Sequence, residues 1–308
     1  MRKTCLEMVH QLAKADDRVV FIGSDLGPGL LDDMRIGMPD RYYMEGVAEQ
    51  NIIGMAAGMA LEGFVPYVNT IATFITRRCY EQVAIDLALQ NQNVRLIGNG
   101  GGVVYAPLGS THLAIEDIAI FRVLPNMTVV CPSDAEEMKR FMKQSVDWQG
   151  PIYIRLGKGG DPVISSDENG FEIGRGIMMR DGGDVLVIST GVMTGRCLKA
   201  AEHLEADGIS SSVMHLHTVK PLDIDLLVEK AAKAKRIVAV EEHVVTGGLG
   251  SAILEALSDK GALPPTGILR LGIPDKFPTE YGSQDSMLES FGLQPDGIAK
   301  SIHEALAG

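Results

Sequence analysis

The sequence predicts an α/β protein of two domains, each with a mostly parallel sheet flanked by helices. The chain has 308 residues, which is enough for two domains that each bury a core. Short apolar runs alternate with helical patterns through both halves, as they do in βαβ units. A stretch rich in Gly, Asp and Ser separates the halves at 161–184 and is typical of a linker. We therefore predict domains at 1–160 and 185–308.

The predicted elements follow from hydrophobic period and from turn residues. In the first domain, strands are predicted at 18–23, 64–69, 94–98, 128–131 and 151–156, and helices at 2–14, 47–61, 75–90, 114–123 and 133–146. In the second domain, strands are predicted at 185–189, 211–216, 236–240 and 267–271, and helices at 194–206, 222–234 and 248–259, with further helices at the end. The segment 133–136 carries the Ser and Asp of a helix cap.

Composition and charge argue against several classes of protein. The hydrophobic and charged fractions, 45% and 22%, are those of an ordinary soluble protein. A net charge of −12 argues against nucleic acid or an anionic membrane as partner. The uncharged apolar stretch 50–61 is too short to span a bilayer, and charged residues interrupt the N-terminus where a signal peptide would be apolar. Widely spaced Cys5, Cys79, Cys131 and Cys197 predict neither disulfides nor zinc, and they indicate a reducing cytoplasm.

One carboxylate, Glu49, is set among apolar and small residues. It lies in the first turn of the predicted helix 47–61, where the helix dipole favours its charged form. Burial among Ile52, Ile53 and Met55 favours the neutral acid instead. If burial dominates, Glu49 is protonated near neutral pH and can donate a short hydrogen bond to a ring nitrogen. The alternative is an ordinary glutamate at a helix start.

Several other polar residues stand where ligands bind or where turns form. Asp25 follows a strand at its carboxyl end, a usual ligand position in α/β domains, although turn aspartates also occur there. His112 ends a loop, where most histidines are structural. Arg155 and Lys158 end another strand and, taken alone, are surface cations. His215 and His217 share a strand face, but no third ligand is in view, so we expect no metal site.

Six segments of the chain resemble, in order, the transketolases and the related deoxyxylulose phosphate synthases. They are GVAEQ at 46–50, TFITRRCYEQ at 73–82, STH at 110–112, PSD at 132–134, VKPLD at 219–223, and EEH at 241–243 with GGLGS at 247–251. The resemblance covers nearly the whole chain. It implies the family's fold, a pyrimidine-binding domain followed by the transketolase C-terminal domain.

The resemblance also implies roles for individual residues. Glu49 matches the glutamate that hydrogen-bonds the pyrimidine ring of thiamine diphosphate, and Phe74 matches the aromatic platform on which that ring stacks. Asp25 matches an aspartate that lies against the cofactor. His112 matches a histidine that faces the substrate, which makes Glu49 and His112 the predicted catalytic pair.

The cofactor side of the site departs from the common pattern at two positions. Ile71 stands where related enzymes place a further aromatic residue. Arg77 stands where transketolases often have tyrosine, and it matches the deoxyxylulose phosphate synthase pattern. We therefore predict a cofactor platform that is partly aliphatic, formed by Ile71, Phe74 and Arg77.

The substrate side departs further. Asn99 lies near a position often held by histidine or arginine, and 108–109 lack the family's acidic residue in a loop that is about two residues longer. Gly29 replaces a phosphate-binding serine. Lys158 stands near the arginine that holds a substrate phosphate, and a lysine supplies a point charge where arginine supplies a fork. We predict Asn99, His112, Arg155 and Lys158 as substrate contacts, with an anionic sugar as substrate.

The family's diphosphate and Mg²⁺ site uses a Gly-Asp-Gly motif, and this sequence contains none. That motif belongs to the N-terminal domain of full-length transketolases. The resemblance therefore implies the C-terminal subunit of a split enzyme, with a partner chain that supplies the diphosphate and magnesium site. Gly54 and Gly58 leave one helix face almost bare for close contact with another helix. The expected assembly contains two copies of each chain.

Three functions compete for this sequence. The first is a split transketolase subunit that moves a two-carbon ketol unit from a ketose to an aldose, or a half-enzyme like the deoxyxylulose phosphate synthases. The second is the beta subunit of a 2-oxoacid dehydrogenase, which the segment 73–82 fits less well. The third is a non-catalytic subunit, against which the retention of Glu49, Phe74 and His112 argues.

Overall fold

A computed structural model describes residues 1–24 and 29–307. The strands of its first half are β1 (Val19–Gly23), β2 (Tyr42–Met44), β3 (Val65–Ile71), β4 (Arg95–Asn99), β5 (Thr128–Val130) and β6 (Ile152–Leu156). The helices are α1 (Arg2–Ala15), α2 (Asp32–Gly37), α3 (Glu49–Leu61), α4 (Tyr80–Gln82), α5 (Asp117–Arg122) and α6 (Ala135–Ser145). Short 3₁₀ turns lie at Pro39–Arg41, Ala106–Leu108 and Ser110–His112.

The second half repeats the alternation of strands and helices. Its strands are β7 (Ile177–Arg180), β8 (Val185–Ser189), β9 (Ser211–His215), β10 (Thr218–Lys220), β11 (Arg236–Val244) and β12 (Ile268–Ile273). Its helices are α7 (Met193–Ala206), α8 (Ile224–Ala231), α9 (Leu249–Asp259), α10 (Gln284–Ser290) and α11 (Pro295–Ala307), with a 3₁₀ turn at Asp167–Asn169 before them.

The described strands form two mostly parallel sheets. The first has the order β10-β5-β6-β4-β3-β1-β2, and the second has the order β12-β11-β8-β9-β7. Strands β1, β3, β4 and β6 are buried at every residue, because helices cover both faces of a parallel sheet. The predicted fold class, two α/β domains with mostly parallel sheets, is confirmed.

Each sheet also has one antiparallel edge strand that the sequence did not predict. Strand β7 lies inside the predicted linker 161–184 and pairs antiparallel with β9. Strand β10 comes from the second half of the chain but pairs antiparallel with β5 of the first sheet. The two halves therefore share a sheet as well as a hydrophobic core, which runs from Ile53 of α3 to Leu216.

A buried hydrogen bond also joins the two halves, between Glu137 of α6 and His215 of β9. The Oε2 atom of Glu137 lies 2.9 Å from Nε2 of His215, and neither side chain is exposed. Burial alone would raise the pKa of Glu137, but the hydrogen bond and the charge of His215 lower it to about 2. On its other side His215 Nδ1 lies 2.8 Å from Oγ1 of Thr194. Both ring nitrogens are therefore engaged by protein atoms, which leaves none for a metal ion.

His217 gives the fold a predicted sensitivity to acid. Its ring stacks on Phe171 with centroids 4.1 Å apart, and burial lowers its pKa from 6.5 to about 3. Between these values the unfolded chain binds a proton that the folded chain does not, so stability falls as pH falls. We expect His217 to account for a loss of about 2 kcal/mol between pH 7 and pH 5. Glu137, with its pKa below the ordinary 4.5, adds a loss at lower pH.

The measurement is urea unfolding at pH 7 and pH 5 of the wild type and of His217→Phe, which keeps the ring and removes the titration. The variant should lose less stability than the wild type over this range. His303→Gln, at a half-exposed surface histidine, serves as the control. An unchanged pH dependence in His217→Phe would show that His217 is not the titrating group.

Candidate active site

Glu49 is buried at the N-terminal end of α3. Its side chain is 3% exposed, in agreement with the apolar surroundings that the sequence predicted. The chain turns into the helix at Gly46, which has a φ of +66° that favours glycine. Among the described residues no side chain caps the helix start, and Glu49 is the first residue of the helix, where the backbone N–H groups have no partner within the helix. Oε2 of Glu49 accepts a hydrogen bond of 2.7 Å from Nη1 of Arg78.

Phe74 and His112 come together next to this carboxylate. Phe74 begins a π-helical turn, Phe74–Arg78, at the start of the predicted helix 75–90, and Val83–Ala88 beyond α4 is also π-helical. Such turns are rare and often occur at functional sites. The Phe74 ring is partly exposed, and the His112 ring meets it edge-on with centroids 5.3 Å apart. Nδ1 of His112 lies 2.9 Å from Oγ1 of Thr111, which orients the imidazole.

Arg78 contacts both Glu49 and Phe74. Arg78 was not identified as a site residue from the sequence. Its guanidinium carbon lies 4.4 Å from the centroid of the Phe74 ring, in a cation–π contact. Because the same guanidinium also pairs with Glu49, it covers the aromatic face nearest the carboxylate. The side chain is 42% exposed, so it is free to move away. The spacing of four residues between Phe74 and Arg78 in a helical pattern was the available signal.

Arg77, which was predicted to contact the cofactor, points elsewhere in this structure. Its Nε forms an ion pair with Glu116, and its Nη2 donates to the carbonyl of Leu113 at 3.0 Å. Ile71, the other unusual platform residue, is 9% exposed at the end of β3. Arg78, and not Arg77, contacts Glu49 and Phe74.

Asn99 is buried at the carboxyl end of β4, beside Ile71 in the register of the sheet. Its Nδ2 donates to Oδ1 of Asn69 at 2.7 Å and to the carbonyl of Thr70 at 2.9 Å. Within 1–24 and 29–307, its Oδ1 has no hydrogen-bond partner, and neither do Nδ2 of Asn69 and Oγ1 of Thr73. Buried polar atoms nearly always have a hydrogen-bond partner. We therefore expect a water molecule or a ligand to bind these atoms at the carboxyl ends of the strands.

Arg155, a predicted substrate contact, is engaged by other protein groups in this structure. The side chain is 7% exposed, and its Nε donates to Oδ2 of Asp117 at 2.7 Å. Its Nη2 donates to the carbonyls of Ala114 and Glu242 at 3.1 and 2.8 Å, the latter in the second half of the chain. Tyr153 also donates to Asp117, at 2.6 Å. Arg155 therefore holds a buried junction between the domains.

Lys158 is exposed, as a substrate contact requires, but it lies away from the aromatic platform. It lines a cavity between the two domains together with Arg196 and Lys199. Asp25, the remaining predicted cofactor residue, falls outside the described residues. Gly29 has a φ of +87°, a conformation that serine rarely adopts.

Neither a metal-binding cluster nor a membrane-spanning helix occurs among the described residues. In the described ranges, no group of three or more His, Cys, Asp or Glu side chains is placed to hold a metal ion. No described helix combines the length and the apolar character needed to cross a membrane.

Two family models match most of the chain. Residues 1–160 match the model of the transketolase pyrimidine-binding domain, and residues 174–298 match that of the transketolase C-terminal domain. The 6-deoxy-6-sulfo-D-fructose transketolase subunit SqwH of Clostridium sp. (strain MSTE9) is 36% identical over 99% of this chain and 94% of its own length. The 1-deoxy-D-xylulose-5-phosphate synthase of Heliobacterium modesticaldum is 36% identical over 96% of this chain, but this match covers 45% of the synthase.

Among solved structures, one described as a split gene transketolase, inactive beta4 tetramer, superposes with a TM-score of 0.89. It is 34% identical, over 99% of this chain and 97% of that one.

Proposed function

Because this chain belongs to the transketolase family, with the pyrimidine-binding and C-terminal domains in one polypeptide, we propose that it is the C-terminal subunit of a thiamine diphosphate-dependent split transketolase. The reaction is the transfer of a two-carbon ketol unit from a ketose to an aldose. The observation that carries this proposal is the buried carboxylate of Glu49 beside the partly exposed ring of Phe74, with His112 at its edge.

These residues fit the pyrimidine half of thiamine diphosphate. When bound, that cofactor supplies the carbanion chemistry that ketol transfer needs. Phe74 offers a ring for stacking, the carboxyl group of Glu49 can hydrogen-bond a ring nitrogen, and His112 faces the substrate side. Arg78 occupies both Oε2 of Glu49 and the face of Phe74, so its exposed side chain has to move before a ring can use them. Ile71 and Arg77 remain the other proposed contacts of the cofactor.

The diphosphate and Mg²⁺ belong to a partner subunit in this proposal. The described residues offer no acidic cluster for a metal ion, and the sequence has no Gly-Asp-Gly motif. SqwH is named as a transketolase subunit, and the similar solved structure is described as a split gene transketolase tetramer. Both names support an enzyme assembled from separate chains. Exposed Gly54 and Gly58 on α3, with open space beyond them, suit a helix contact in an assembly of two copies of each chain.

The substrate is an anionic sugar in this proposal. His112 and Asn99 lie at the carboxyl edge of the first sheet, and the free acceptor of Asn99 suits a sugar hydroxyl. Lys158 supplies the positive charge for the anionic end. The name of SqwH, a sulfo-fructose transketolase subunit, supports a sulfonate as well as a phosphate for that end.

Coexpression with the neighbouring open reading frame tests this function. We expect calorimetry with thiamine diphosphate and Mg²⁺ to detect tight binding by the pair and weak binding by this chain alone. Ketose donors are then screened with aldose acceptors on the pair. Tight cofactor binding by this chain alone would contradict the split-site proposal.

A half-enzyme that makes 1-deoxy-D-xylulose 5-phosphate is the second candidate. Its support is the 36% identity to the Heliobacterium modesticaldum synthase. Assaying the same pair for that product and for ketol transfer distinguishes the two functions.

A further inference from the structure

A cavity of about 470 Å³ lies between the two domains, apart from Glu49 and Phe74. Its walls are the loop 158–162 after β6, the first turns of α7, and the N-terminal residues of α10 and α11. Helix α7 faces the cavity with one side, formed by Gly195, Arg196 and Lys199, whereas α11 meets it at its first residue, Pro295. The N-terminal end of α11, a helix of 13 residues, carries partial positive charge, which favours an anion.

Of the charged side chains in the cavity, Lys158 and Lys199 form no ion pair with a described residue, although the charge of Lys158 adds to the hydrogen bond from Arg196 in lowering the pKa of Asp285. Nη2 of Arg196 pairs with Oδ1 of Asp285 at 2.6 Å. The other carboxylate, Asp161, accepts a hydrogen bond of 3.1 Å from the backbone N–H of Gly159. Lys158 and Lys199 are exposed and form no ion pair with any residue in 1–24 or 29–307.

Ser133 is an independent sign of a ligand. Its side chain is 2% exposed and lines the cavity, and its Oγ has no hydrogen-bond partner among the described residues. An unpaired buried hydroxyl costs free energy, which a ligand oxygen in the cavity would recover. The backbone of Ser133 is fixed, because its N–H donates to Oε2 of Glu137 at 2.6 Å.

We propose that this cavity binds a tetrahedral oxyanion, the phosphate or sulfonate group of a small metabolite. Lys199 and Lys158 supply the charge, and Ser133 donates its hydroxyl hydrogen. Two sources have this chemistry: the charged end of a sugar substrate, reached through Lys158, and a separate effector. Binding of the anion itself does not depend on the proposed ketol transfer.

The first experiment measures binding of inorganic phosphate to the full chain by calorimetry at low ionic strength. Lys199→Gln and Ser133→Ala should each weaken binding about tenfold, because each removes one hydrogen bond to a charged group. Lys143→Gln, at an exposed lysine of α6, and Ser211→Ala, at another buried hydroxyl without a partner, are the matched controls. Neither residue lines the cavity.

Saturable binding that is weakened by the two cavity variants and not by the controls supports the site. Undetectable binding of phosphate overturns the proposal. An equal loss of affinity in Lys143→Gln also overturns it, because the overall charge of the protein would then explain the binding. Since this measurement needs neither cofactor nor turnover, its failure is distinct from failure of the proposed activity.

The assembled pair then identifies the source. Phosphate that raises the KM for an anionic sugar and leaves kcat unchanged assigns the cavity to the end of the substrate. If phosphate changes kcat instead, the cavity binds a separate effector. In either case the effect of phosphate should be lost in Lys199→Gln. An effect of phosphate that persists undiminished in Lys199→Gln would contradict a kinetic role for the cavity.

Discussion

Replacing Glu49 by glutamine is expected to lower kcat of the assembled enzyme by about 10²- to 10⁴-fold, the usual contribution of a general acid or base. Glutamine keeps the size of the side chain and can still accept a hydrogen bond from Arg78, but it cannot share a proton with a ring nitrogen. Assembly and folding should be unaffected, since the Arg78 side of the pair is 42% exposed and such pairs add little stability. Steady-state kinetics of ketol transfer measures kcat, and light scattering measures the mass of the assembled complex.

Glu62→Gln is the matched control, because Glu62 is an exposed glutamate at the other end of α3. It should leave kcat within about twofold of the wild type, as surface substitutions rarely perturb a distant site. Near-normal turnover in Glu49→Gln, with the complex intact, would remove Glu49 from the catalytic assignment. Loss of the complex would instead mean that Glu49 acts through assembly.

The layout of the sheets could be predicted from the sequence because the central strands are continuous apolar runs. The prediction of 94–98 differs from β4 (Arg95–Asn99) by one residue, and that of 185–189 matches β8. The edge strands could not be predicted in this way. β7 has four residues among glycines and aspartates, and β10 has three, so neither shows a period of its own. Their pairing is decided by tertiary contacts that lie far away in sequence.

The candidate site could be predicted only in part. Glu49, Phe74 and His112 were identified by motif, and the structure brings them together around one aromatic ring. Arg77 and Arg78 are adjacent and chemically identical, so the sequence could not show which one reaches Glu49. The π-helical turn decides it, by turning Arg78 over Phe74 and Arg77 toward Glu116.

Replacing Arg155 by methionine should destabilise the protein by about 3–5 kcal/mol, the usual cost of leaving a buried charge without its partner. The change leaves the carboxylate of Asp117, which is not exposed at all, with Tyr153 as its remaining side-chain donor. It also removes the bond to the Glu242 carbonyl that joins the domains. Lys158→Gln, three residues away and exposed, should change stability by less than about 0.5 kcal/mol.

Urea unfolding of both variants measures these stabilities, and substrate kinetics of the assembled pair separate the roles. Lys158→Gln should raise KM for an anionic sugar and leave an uncharged analogue unaffected, whereas Arg155→Met should act through loss of folded protein. A stable Arg155→Met with a raised KM would restore Arg155 as a substrate contact. The double variant with Asp117→Leu gives a further check, because removing both charges should recover part of the stability that Arg155→Met loses.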